Sequence, residues 1–174
     1  MNIDGKAWRT IWLEEGGRSI GVIDQTQLPH HFTTRSITGL DGAAEAISTM
    51  VVRGAPLIGV TGAYGLMLAL QADPSDGSLA AAFEQLNATR PTAVNLRWAL
   101  ERVRAKVAGL PPAERAEAAK AEAAAKADRD RLHSELKREF GRLVATTTAQ
   151  VTGKVLSNDD QKRINDEALA KIEG

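Results

Sequence analysis

The 174-residue chain contains no cysteine, which removes disulfides, thiolate nucleophiles and Cys-ligated zinc from consideration. Aromatic residues are scarce at 4%. Neither charge sign is in excess, because 22 Lys and Arg face 22 Asp and Glu. A general binder of nucleic acid or anionic membrane carries a basic surplus, so no nucleic-acid partner is expected. Histidines are few: His30, His31 and His133. Neighbours in a strand point to opposite faces, so the adjacent pair does not readily share a metal, and neither metal nor cofactor is expected. The opening MNIDGKAWRT lacks the apolar stretch of a signal peptide. No apolar run approaches the ~20 residues of a membrane-spanning helix, so no membrane insertion is expected and the cytoplasm is the expected compartment.

What is present is unevenly distributed. All three tryptophans (Trp8, Trp12, Trp98), the single Tyr64 and all six prolines precede residue 113. Residues 113–127 are only Ala, Glu and Lys apart from Arg115. That stretch has high helix propensity and no bulky apolar side chain to bury, so it reads as a boundary. The expected division is a folded domain over residues 1–112, a helical spacer over 113–129 and a helical tail over 130–174.

In the first part, residues 8–13 and 19–23 read as strands flanking Glu14-Glu15-Gly16-Gly17, a hairpin turn. A third extended stretch follows Pro29 through Phe32-Thr33-Thr34. Asp41 offers an N-cap, and Ala43, Ala44, Ile47, Met50 and Val51 give an apolar helical face. Pro56 restarts the chain as an N1 proline, and residues 57–70 are rich in Gly, Ala and large aliphatics, as in a buried helix closely packed by neighbours. Two more helices are expected after Asp76-Gly77 and over 94–107. In the tail, Leu132, Leu136, Phe140, Leu143, Thr147 and Val151 are spaced 4, 4, 3, 4, 4. This is the 11-residue rhythm of a straight or slightly right-handed helix pair. Gly153 ends that helix, and Ser157 with Asp160 starts a last one. The fold class is therefore mainly α: a small N-terminal β hairpin or sheet plus a helical bundle, then a long helix and a short terminal helix.

Two short motifs carry chemistry. In Val51-Val52-Arg53-Gly54-Ala55-Pro56, an arginine and a glycine open a helix, placing a guanidinium beside free backbone N–H groups. In Arg90-Pro91-Thr92-Ala93-Val94-Asn95, a second arginine precedes a helix that Thr92 or Asn95 is able to cap. Each spacing alone is equally that of a plain helix-to-helix turn. Taken together, the runs MVVRGAPLIGVTGAYGL and ATRPTAVNLRWAL, with IDQTQLPHHF before them, resemble the methylthioribose-1-phosphate isomerases of methionine salvage, relatives of the regulatory subunits of initiation factor 2B. The resemblance runs from about Trp8 through Ala119. It implies that Arg53, Gly54, Ala55 and Arg90 contact a sugar phosphate. It also implies that the family's catalytic cysteine and aspartate lie in a larger C-terminal domain, and a chain without cysteine supplies no such thiol.

A second resemblance covers about residues 130–172. LHSELKREFGRLVATTTAQVTGKVLSNDDQKRINDEALAKI is similar to the C-terminal part of the b subunit of F-type ATP synthase. Between the two, EAAAK matches a semi-rigid helical spacer, natural or engineered. The expectation is a non-catalytic hybrid that binds itself or another protein through Leu132, Leu136, Phe140, Leu143 and Val151, as a scaffold or inhibitor-like partner. The alternatives are an isomerase-like sugar-phosphate binder and a peripheral-stalk component.

Overall fold

A computed structural model describes residues 2–3, 5–152 and 158–173. Two compact units divide it, Met1–Ala127 and Asp128–Gly174. As expected, the architecture is mainly helical with a small N-terminal sheet. Strands β1 (Asn2–Ile3) and β2 (Lys6–Ala7) pair with each other. Strands β3 (Ile11–Leu13), β4 (Ile20–Ile23) and β5 (Thr34–Ile37) form an antiparallel meander in that order.

The β3–β4 hairpin turns through Glu14-Glu15-Gly16-Gly17 as expected, with Gly16 and Gly17 at φ 85° and 68°. Glu14 tethers the turn to β5: its Oε2 accepts hydrogen bonds from Ser19 (2.5 Å) and Ser36 (2.6 Å). These bonds hold its carboxyl below the usual range against a small opposing effect of burial. Period-two alternation puts Ile11, Ile20, Val22 and Ile37 into the core. Opposite Trp12, only glycine fits. A Cβ on Gly21 would lie 2.1 Å from the indole, so the ring covers the bare backbone.

Four helices form most of the core of the first unit: α1 (Leu40–Ser48), α2 (Ala55–Ala72), α3 (Asp76–Thr89) and α4 (Val94–Val107). The N-cap of α1 differs from expectation. Gly39, not Asp41, precedes α1, and Ser75 caps α3 by accepting the Ser78 N–H at 3.2 Å. Helix α2 is the axle of the unit, buried from Leu57 to Leu70. It is long and apolar enough by composition to cross a membrane, yet 78% of it is covered by the fold, as a core helix is. Its glycines let the neighbours in. A Cβ on Gly62 would meet Leu96 at 2.4 Å, and one on Gly65 would meet Ala43 at 3.0 Å and Leu86 at 3.1 Å. Helices approaching this closely gain dispersion contacts along their whole length.

The stretch 113–127 departs from expectation. Helix α5 runs without interruption over Pro112–Thr152, and its first turns belong to the first unit. Ala119 and Ala123 are fully buried in the core cluster, and Arg115 and Lys126 are buried beside them. Positions 115, 119, 122–123 and 126 recur every three to four residues, which is one face of a helix. Small side chains have little surface of their own to bury, but they let the backbone come close. The charges on this face are paired. Arg115 donates from Nε to the Leu110 carbonyl (3.0 Å) and from Nη1 to the Pro74 carbonyl (2.9 Å) and Asp76 (2.7 Å). Glu122 accepts from Arg102 of α4 at 2.8 Å.

In the second unit, the later part of α5 packs with α6 (Asn158–Glu173). The seam is formed by Gly141, whose ideal Cβ would lie 3.2 Å from Asn165 Oδ1, and by the buried Ala145. Nine residues separate Leu132 from Gly141, a rotation of about 180° around the helix. The apolar stripe therefore lies opposite the α6 seam. Leu132, Leu136, Phe140 and Leu143 remain 56, 67, 44 and 61% exposed. The Val151 side chain, Gly153 and Ser157 lie outside the described residues.

Candidate functional site

The Arg53 motif is built by the end of one helix and the start of the next. Helix α1 closes through Thr49, whose N–H reaches the Glu45 carbonyl at 2.9 Å, and Met50 turns the chain at φ 62°. Val51 and Val52 then dive into the core, with the Val52 N–H on the Ala46 carbonyl at 3.1 Å. Two buried valines thus pin the chain, and Arg53 emerges exposed. Gly54 follows at φ 88°, ψ 135°, a conformation that side-chain-bearing residues rarely adopt. A Cβ there would meet nothing within 4 Å, so backbone conformation alone demands glycine.

Gly54 serves as the N-cap of α2, and its carbonyl accepts the Ile58 N–H at 3.0 Å. No side chain caps this helix. Helix α2 begins at Ala55, so Pro56 is its second residue rather than N1; carrying no N–H, it still presets the first turn. The result is an exposed helix start in which a guanidinium, a glycine and the positive end of the α2 dipole adjoin. That combination favours an anion.

The loop after β4 braces the motif. Asp24 is 2% exposed. Its Oδ1 accepts the Thr26 N–H (2.9 Å) and hydroxyl (2.6 Å), and its Oδ2 accepts Arg35 Nε (2.7 Å). Burial pushes its carboxyl up, but the Thr26 donors and the Arg35 guanidinium outweigh it and hold the group below its ordinary value. Next in the chain, Gln25 donates its N–H to the Val51 carbonyl (2.9 Å) and accepts the Arg53 N–H on Oε1 (2.8 Å). Arg53 Nη2 in turn donates to the Gln25 carbonyl. Sequence reasoning passed over Gln25, since nothing in its spacing shows a partner 28 residues away.

The second motif folds differently from the expectation. Arg90 is the C-cap of α3, half-buried, and its carbonyl accepts the Ala93 N–H at 2.9 Å. Pro91 lies in that turn, and α4 starts only at Val94. Neither Thr92 nor Asn95 caps it, because the Ala93 turn supplies the entry instead. The first turn of α4 abuts the second turn of α2: a Cβ on Gly59 would lie 2.9 Å from the Asn95 carbonyl oxygen. The helices that follow Arg53 and Arg90 thus meet near their starts. Lys126 joins them, its Cε 3.0 Å from the same ideal Cβ and its ammonium 5.2 Å from the Trp98 ring, which Arg102 also faces at 5.1 Å. Read as a spacer lysine, Lys126 gave no sign of this placement.

Among the described residues no group of three or more His, Cys, Asp or Glu side chains is placed to hold a metal ion. The second unit holds a groove of about 440 Å³ between Lys137, Arg138, Lys162 and Asp166, remote in sequence from both arginine motifs.

Comparison with known proteins adds to this geometry. Residues 51–160 match the Initiation factor 2 subunit family, a span that takes in most of the segment resembling the b subunit; that second resemblance rests on the sequence alone. The methylthioribose-1-phosphate isomerase of Rhodospirillum centenum is 58% identical over 130 residues, 75% of this chain and 35% of that protein. The isomerase of the same name from Methylobacterium nodulans is 55% identical over 151 residues, 86% of this chain and 42% of that one. Among solved structures, 5-methylthioribose 1-phosphate isomerase from Pyrococcus horikoshii superposes with a TM-score of 0.65 at 36% identity, over 71% of this chain and 37% of that one. The delta subunit of translation initiation factor eIF-2B from A. fulgidus gives 0.68 at 33% identity, over 81% and 42%. The chain thus spans between a third and a half of the length of these relatives.

Proposed function

Because the chain belongs to the Initiation factor 2 subunit family, we propose that its first unit is the phosphate-gripping portion of methylthioribose-1-phosphate isomerase chemistry. The observation that carries this reading is the uncapped, exposed start of α2, reached through Gly54 at positive φ and flanked by Arg53. In this reading Arg53, the Gly54 and Ala55 backbone and Arg90 hold the sugar phosphate. A planar guanidinium meets phosphate oxygens bidentately, and the helix start adds N–H donors and a favourable dipole. These groups orient and bind. Moving a proton between the sugar carbons takes a general acid and base, and such a pair is distinct from the phosphate grip.

Isothermal titration of the chain with a pentose 1-phosphate tests the reading. Binding that disappears in Arg53→Ala supports it, and no heat at millimolar ligand sinks it. Turnover of methylthioribose 1-phosphate by the same preparation would extend the reading from grip to catalysis.

A second reading concerns the tail. The exposed Leu132, Leu136, Phe140 and Leu143 stripe, turned away from α6, supports a protein-binding role for the second unit. Light scattering across a concentration series tests self-association, and a pull-down with the full chain tests another partner.

A further inference from the structure

We propose that Gln25 is a positioning residue for the phosphate site, acting through Arg53; this rests on the sugar-phosphate reading above. Every polar group of its backbone, together with its side-chain oxygen, is committed to residues 51–53. The N–H holds the Val51 carbonyl, Oε1 takes the Arg53 N–H, and the carbonyl takes Arg53 Nη2. An exposed arginine is otherwise free to sample many rotamers, and an aimed one loses less freedom when it grips a ligand. One arm of the guanidinium goes to Gln25, and the fork has five N–H donors, so a two-point grip on phosphate remains available.

Gln25 is itself held. Its predecessor Asp24 is fixed by Thr26 and by Arg35 of β5. A line of hydrogen bonds therefore runs from the sheet, through Asp24 and Gln25, to the residue immediately before Gly54. The Gln25 side chain bonds the Arg53 backbone just where the chain must enter its positive-φ turn. That contact sets the direction of both the guanidinium and the first N–H groups of α2.

The experiment uses the full chain, ribose 1-phosphate as probe, titration calorimetry and ¹H–¹⁵N spectra. Gln25→Met keeps the shape of the side chain and removes the acceptor. It is expected to raise Kd about five- to tenfold, the effect of one lost hydrogen bond, and to shift the Arg53 amide resonance in the ligand-free protein. Gln25→Glu restores an acceptor oxygen and is expected to return that resonance toward its wild-type position. As a control, Arg115→Ala loosens the unit at the far end of α2, about 27 Å away for 18 residues. It is expected to lower the urea midpoint more than Gln25→Met does while leaving Kd within twofold. A Gln25→Met chain that binds as the wild type does overturns the proposal and leaves the phosphate reading standing. So does an affinity loss that Arg115→Ala reproduces, since general loosening then explains it. A wild-type chain that binds no ribose 1-phosphate overturns both.

Discussion

Replacing Arg115 by methionine is expected to destabilise the first unit by about 2–4 kcal/mol. The Arg115 side chain is 10% exposed at the start of α5, and its guanidinium bonds the Leu110 and Pro74 carbonyls and Asp76. A hydrogen bond to a charged group is worth ~1.5–3 kcal/mol when its partner is left dry, and less where water reaches the carbonyl. Two such bonds therefore set the main scale. The Asp76 pair adds little, since that carboxylate is 88% exposed and exposed pairs contribute ~0–1 kcal/mol. Methionine keeps the apolar stem, so the loss reads the polar contacts; alanine would add roughly 1.5 kcal/mol for two unburied methylenes. Urea unfolding followed by tryptophan fluorescence reports this unit selectively, because Trp8, Trp12 and Trp98 all lie in it. Asp76→Asn should shift stability by less than ~1 kcal/mol. A change within about ±0.5 kcal/mol for Arg115→Met, the range of an ordinary surface substitution, would show that residues 113–127 are a solvated spacer after all.

Three further perturbations separate the forces at work. Asp24→Asn should destabilise by about 1–3 kcal/mol at pH 7, where the carboxylate is charged and bonded. The Asp24 pKa is depressed in the folded state, so its contribution is present above the unfolded value of ~3.9 and lost as pH falls through the folded value; the deficit of the variant should therefore shrink in acid. Paired urea titrations at pH 7 and at about pH 3 check this, and a deficit that grows in acid would contradict the sign. Gly59→Ala should gain ~1 kcal/mol of helix propensity but lose more to its 2.9 Å approach to the Asn95 carbonyl, a backbone atom that has no rotamer to yield, for a net loss of roughly 1–2 kcal/mol. Gly77→Ala, with nothing nearer than 4.0 Å, should instead be stabilising by several tenths of a kcal/mol; equal signs for the two glycines in thermal melts would refute the close-approach argument. Gly54→Ala should cost about 1–3 kcal/mol through backbone strain alone, and a neutral result in the same melts would mean that the turn relaxes freely.

Local chemistry made much of this protein legible in advance. The Gly16-Gly17 hairpin follows from turn chemistry between two apolar runs, and the burial of α2 from a stretch with no charged residue between Ala55 and Ala72. The Arg53-Gly54-Ala55-Pro56 order marks a helix start beside an arginine, whereas the positive φ of Gly54 is visible only in the folded chain.

What tertiary structure decided are the partnerships between distant residues of ordinary type. Ala119, Ala123, Arg115 and Lys126 look like the solvated face of a spacer, because alanine packs tightly only where a neighbouring backbone comes near, and a buried charge is tolerable only once its partners are assembled. Gln25 acquires its hold on Arg53 from a strand end and a helix start that meet 28 residues apart. A single chain of letters encodes periodicity and turn chemistry directly; close approach and long-range hydrogen bonding exist only after the chain has folded back on itself.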